Sequence, residues 1–105
     1  MDNFKIIYKI LVELERNMGD EQFSINAISA ERLKLPFNKW EQLMIMMQDE
    51  GYIRGLVVSR NISERYRHIV EPIFPEITIK GLEYLAENSF MGKAKELLKM
   101  AGDFI

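Results

Sequence analysis

Basic side chains crowd into one short stretch of this chain. Residues 54–68 carry Arg54, Arg60, Arg65 and Arg67, together with the single histidine, His68, against one acid, Glu64. A guanidinium group holds phosphate through two parallel hydrogen bonds. Arg60, Arg65, Arg67 and His68 are therefore candidates for gripping a nucleic-acid backbone. A second set lies upstream. Asn38, Lys39 and Gln42 fall at the start of an expected helix, with Glu41, Ile45 and Met46 placed on the same outward face. Asn and Gln match adenine edges in the major groove, and apolar groups suit thymine methyls. Each set also has a purely structural reading. The arginines can pair with Glu64, Glu71 or neighbouring acids on a solvated hairpin. The helix, one Lys against Glu41, Asp49 and Glu50, is net acidic and offers little to phosphate, so Glu41 would repel DNA.

Catalysis is not expected. There is no cysteine and one histidine, and the serines fall at apparent caps and turns without a nearby base. Glu13 and Glu15 stand two apart on a helix, hence on different faces, and form no carboxylate pair. Gly51 to Gly55 lacks the Lys-Ser/Thr pattern of a phosphate loop, and His68 has no second ligand at metal-site spacing. No cofactor and no metal are expected.

The elements that would position these residues follow from periodicity. Phe4, Ile7, Leu11, Leu14 and Met18 recur at helical spacing, with Tyr8 and Val12 beside them. They predict a first helix over about 3–18, closed by Gly19 in a left-handed conformation. Ser24 predicts the cap of a short second helix burying Ile25, Ile28 and Leu33. The third helix starts at Pro36, or at Asn38 with Glu41 completing a capping box. It carries Phe37, Trp40, Leu43, Met44 and Met47 on one stripe and ends at Gly51. Tyr52 to Ser59 reads as a strand with a bulge at Gly55, Asn61 to Glu64 as a turn, and Arg67 to Phe74 as a returning strand limited by Pro72 and Pro75. Thr78 caps a fourth helix running to about Asn88, with Ile77 and Leu82 as a hydrophobic staple. Ser89 caps a fifth helix, whose stripe is Phe90, Ala94, Leu97, Ala101 and Phe104. That stripe either folds back on the first helix or forms the seam of a homodimer.

Three helices, a hairpin and two further helices make an α+β, mainly α chain with the plan of a winged helix domain. The second and third helices would form the helix-turn-helix and the hairpin the wing. "DEGYIRG" after an apolar helix, then "ITIKGLEYLAENS", then a Lys-bearing terminal helix, resembles the YjcQ-like family. The resemblance covers nearly the whole chain. It implies small winged helix proteins of Gram-positive bacteria and their phages, and a DNA-binding analogy. It carries no assigned functional residues.

Composition bounds the rest. A chain of 105 residues, 48% hydrophobic and 29% charged, suits one domain over 1–105 with its own core. The absence of cysteine fits a reducing cytoplasm. The opening residues read as an amphipathic helix and not a signal peptide, and no membrane span is expected, since the longest uncharged apolar run is Leu43 to Met47. Net charge is −2; residues 54–68 carry +3, so the remainder carries −5. Two functions follow. One is a DNA-binding transcriptional regulator of phage or host origin, with phosphate contacts from the wing and base contacts from the third helix. The other is a protein-interaction module that kept the scaffold without DNA. The basic wing favours the first and the acidic third helix favours the second.

Overall fold

Helix α1, Asn3–Arg16, opens on Asp2, whose carboxylate accepts from the Phe4 N–H at 2.9 Å. In this computed structural model, residues 2–88 are described. The expected fifth helix and its stripe of Phe90, Ala94, Leu97, Ala101 and Phe104 lie outside the described residues. Helix α1 buries Ile6, Ile10, Leu11 and Leu14. The buried face is rotated from the expected one. Phe4 and Met18 are exposed, and Ile7, Tyr8 and Val12 pack only partly. Two adjacent apolar stripes compete on this helix, and the one through Ile6 and Ile10 meets the rest of the core. Gly19 adopts the expected left-handed φ of +78°.

The second helix shrinks to one 3-10 turn, Ile25–Ile28, capped as expected by Ser24, which accepts from the Asn26 N–H at 3.2 Å. Ser29 explains the stop. It is extended, its hydroxyl donates to the Asn26 carbonyl, and it accepts from the Arg32 N–H at 3.1 Å. A serine that bonds local backbone in this way offers the chain an alternative to helix. Ile28 is nonetheless buried, and Ile25 and Leu33 pack against the core.

Helix α2, Phe37–Asp49, begins at Pro36 with no side-chain cap. The alternative start at Asn38 with a Glu41 capping box is not formed, because Glu41 is used elsewhere. Trp40, Leu43, Met44 and Met47 are buried as the stripe predicts, but Phe37 is 58% exposed. Phe37 stands in the first turn, beyond the end of the core, and its ring tilts over Trp40 at 5.7 Å. The Trp40 indole N–H donates to the Ile28 carbonyl at 2.7 Å, joining α2 to the 3-10 turn.

The strand expected over 52–59 is two short strands; of the return expected over Arg67 to Phe74 only His68–Val70 is strand, and a further strand follows beyond Pro75. Strand β1, Ile53–Arg54, pairs antiparallel with β4, Glu76–Ile77; β2, Val57–Ser59, pairs antiparallel with β3, His68–Val70. Gly55 separates the ladders. Its φ is +98°, and a Cβ there would stand 2.5 Å from the Phe74 carbonyl oxygen, so glycine alone fits the crossing. Pro72 and Pro75 lie in the matching break of the returning chain. Within the upper ladder Val58 faces Ile69 on the core side, and Val57 and Val70 face outward. Thr78 caps the helix over residues 79–88 as expected, accepting from the Gly81 N–H at 3.1 Å and donating to the Gly51 carbonyl. Ile77, Leu82 and Leu85 bring that helix into the core shared by α1, α2 and β1. The described residues are α+β, mainly helical, with two antiparallel two-stranded ladders. No helix among them is long and apolar enough to cross a membrane.

Candidate nucleic-acid interface

One face of α2 holds the hairpin by its side chains. Glu41 is 3% exposed. Its Oε1 lies 2.8 Å from His68 Nδ1, and its Oε2 accepts from the Ile69 N–H at 3.0 Å. Gln42 donates to the Arg67 carbonyl at 2.9 Å. Two turns on, Gln48 accepts from the Leu56 N–H at 2.8 Å and donates to the Leu56 carbonyl at 3.0 Å. Its amide thus supplies the backbone partners that the break between the ladders removes. The Asp49 carboxylate accepts from both terminal guanidinium nitrogens of Arg67, at 3.0 and 2.5 Å. Ile45, 1% exposed, lies on the same side as Glu41 and Gln48.

The predicted residues divide accordingly. Asn38 and Lys39 are exposed on the first turn of α2. Glu41 and Ile45, expected outward, are buried beneath the hairpin, while Met46 is outward at 55% exposure. Gln42 is partly buried by its bond to the hairpin backbone. Arg60 and Arg65 are exposed toward the hairpin tip, with the Arg65 guanidinium 5.6 Å above the Tyr66 ring. Among the described residues neither is in an ion pair, whereas Arg67 is paired to Asp49 and His68 to Glu41.

These pairs shape the local titration. Hydrogen bonding to Arg67 holds the Asp49 carboxyl below its usual range and raises Arg67 in turn. The Glu41 hydrogen bond raises His68 above its ordinary 6.5 against an opposing desolvation, with smaller help from the charges of Glu41 and of Glu64, whose Oε2 lies 3.7 Å from Nε2. A histidine raised in the folded state stabilises fully below its unfolded pKa and loses that contribution as pH rises through the folded value. Unfolding midpoints of the wild type should therefore fall as pH rises from 6.5 through the raised folded value, and those of His68→Gln should stay level over the same rise. Parallel profiles for the two proteins would remove His68 from this role.

A model of the family described as YjcQ protein matches residues 8–104. The chain belongs to that family. No curated protein and no solved structure matches it. The match spans α2, the whole hairpin and the helix over 79–88, so the clasp lies within the family's own extent. Among the described residues of this YjcQ family member, no group of three or more His, Asp or Glu could hold a metal ion. A recess of about 830 Å³ between the end of α1 and the segment before β4 is walled by Leu14, Phe23, Phe74 and Ile77. Arg54, the one cation lining it among the described residues, is paired with Glu76 across the lower ladder at 3.1 Å.

Glu41, Gln48 and Asp49 were not predicted to clasp the hairpin. The available signal was Ile45, an apolar residue off the main stripe. With Glu41 and Gln48 it forms a second line at i, i+4 and i+7, which marks a helix buried on two sides.

Proposed function

We propose that this protein is a winged helix DNA-binding regulator acting in the cytoplasm, with the β2–β3 hairpin as its wing. Arg60 and Arg65 on the wing and Lys39 on α2 contact phosphate, and Asn38 reads a base edge. One observation carries the reading: two of the three acids that make α2 look hostile to DNA are withdrawn, leaving Glu50 exposed at its far end. Glu41 is buried under His68 and Ile69, and Asp49 is neutralised by Arg67, while Asn38, Lys39, Arg60 and Arg65 are exposed. Arg67 and His68 position the wing and make no primary DNA contact. A protein-interaction module is the second reading, favoured by the exposed Phe37 and Met46 on α2.

Three neutralised phosphates predict a logarithmic salt slope of about −2.7 on B-DNA. Arg65→Gln or Lys39→Gln should each flatten it by about 0.9 and weaken binding on every sequence alike. Asn38→Ala should relax preference at one base and leave the slope unchanged. Folded protein at high micromolar concentration that binds no duplex at about 50 mM salt would sink the DNA reading and leave the interaction module.

A further inference from the structure

The hairpin tip holds a residue that neither packing nor turn formation explains. Ile62 is 106% exposed, so no part of the described chain covers it. It occupies a central position of the Asn61–Glu64 turn, which is closed by the Glu64 N–H donating to the Asn61 carbonyl at 3.0 Å. Such positions favour Gly, Asn, Asp and Ser, whose backbone or side chains suit a turn. A β-branched apolar residue there breaks the local rule without a compensating contact in the fold. The neighbouring acid is occupied: Glu64 accepts from the Asn61 backbone and side chain at 3.4 and 3.2 Å and lies 3.7 Å from His68. The surroundings of Ile62 stay net positive, with Arg60 two residues before it and Arg65 three residues after it, both exposed, against the single charge of Glu64.

An exposed apolar side chain between two cations fits a surface that is anionic outside and apolar within. Duplex DNA has that character in its minor groove, where phosphates line both rims and stacked bases lie between. The groove, about 6 Å wide, is too narrow for a two-stranded ribbon but admits a single side chain. Proteins that wedge Ile, Leu or Met into this groove part a base step and kink the duplex. We infer that Ile62 is such a wedge: it enters the minor groove and parts one base step, with Arg60 and Arg65 on the phosphates to either side. This rests on the DNA-binding reading and adds a source of specificity that needs no hydrogen bond to a base. Pyrimidine–purine steps such as TA unstack most readily, so sites with a TA step under the tip are preferred.

The test uses the full chain and a duplex of about twenty base pairs. It carries 2-aminopurine at a central TA step and a donor–acceptor dye pair at its ends. Wild type should raise the 2-aminopurine emission and shorten the end-to-end distance, reporting a kink on the order of tens of degrees. Ile62→Ser should abolish both signals and weaken binding about tenfold, the effect of losing one buried apolar side chain. It should keep the wild-type salt slope and the wild-type circular dichroism. Arg65→Gln should do the converse, flattening the slope while the emission rise survives at saturation. Wild-type binding without unstacking, or Ile62→Ser indistinguishable from wild type, overturns the wedge and leaves the regulator standing. Failure of wild type to bind any duplex overturns both. Phosphatidylserine vesicles form the control arm: tip-dependent binding to them without duplex binding would make Ile62 and its arginines a lipid contact, and would end both the wedge and the regulator.

Discussion

Trp40→Ala lowers unfolding free energy by about 3–5 kcal/mol, the cost of truncating a large buried aromatic side chain. Trp40 is 3% exposed among Leu43, Met44 and Met47, and it is the point where the 3-10 turn is fastened to α2. Two losses combine. The indole leaves a cavity lined by the core, and the Ile28 carbonyl loses the donor that satisfies it at 2.7 Å. Trp40→Phe separates them. It keeps most of the apolar volume but strands the carbonyl, and should cost about 1–3 kcal/mol. Urea denaturation followed by circular dichroism measures both. A small domain has only about 5–15 kcal/mol to lose, so the alanine variant should be substantially unfolded at moderate urea. If the two variants proved equally stable, the cavity would contribute nothing and the packing described around Trp40 would be wrong.

Glu41→Ala should cost about 2–4 kcal/mol, since it removes a buried carboxylate that satisfies two donors at once. The Ile69 N–H is left without its acceptor, and His68 loses its nearest negative charge. The consequence for binding runs against simple electrostatics. Removing an acid from a helix that approaches DNA ordinarily strengthens the complex. On the proposed DNA-binding reading the same change unfastens the β2–β3 hairpin from α2, so affinity for duplex should fall and hydrogen exchange at the Ile69 amide should speed up. Glu41→Gln keeps an acceptor for one donor and should fall between wild type and alanine on both measures. A Glu41→Gln protein with higher affinity and an unchanged Ile69 amide would show that the carboxylate is merely a surface charge.

Much of the architecture could be read from spacing, because the strongest signals were local. Trp40, Leu43, Met44 and Met47 sit one helical turn apart, and Ser24 and Thr78 cap the turns that follow them. Gly19 and Gly51 take positive φ where α1 and α2 end. The failures were places where two local tendencies met. On α1 two apolar stripes overlapped, and only the rest of the core could choose the one through Ile6 and Ile10. Over residues 24–34 the serines and the helix competed for the same backbone groups, and after one 3-10 turn the serines prevailed. The clasp was the least legible feature. It joins residues up to twenty-eight positions apart, and a glutamate on an amphipathic helix gives no sign that its partner is a distant histidine. For that reason the sequence alone offers Glu41 only as an outward acid or a capping-box partner, and Arg67 and His68 as phosphate contacts or partners of unspecified nearby acids.

The register of the upper ladder ends at the Ser59–His68 pair, and the residues beyond it, 60–67, form an arm fixed to α2 chiefly at its root, through Arg67. Changes in the outer part of such an arm are nearly neutral for the body. Doubling a flexible loop costs only about 0.6 kcal/mol of closure entropy, far less than disturbing a buried methylene cluster. Insertions or substitutions at the tip can therefore alter its reach and chemistry while the clasp stays the same. Diversity among members of this family should concentrate at positions 60–66, where change carries little risk to folding.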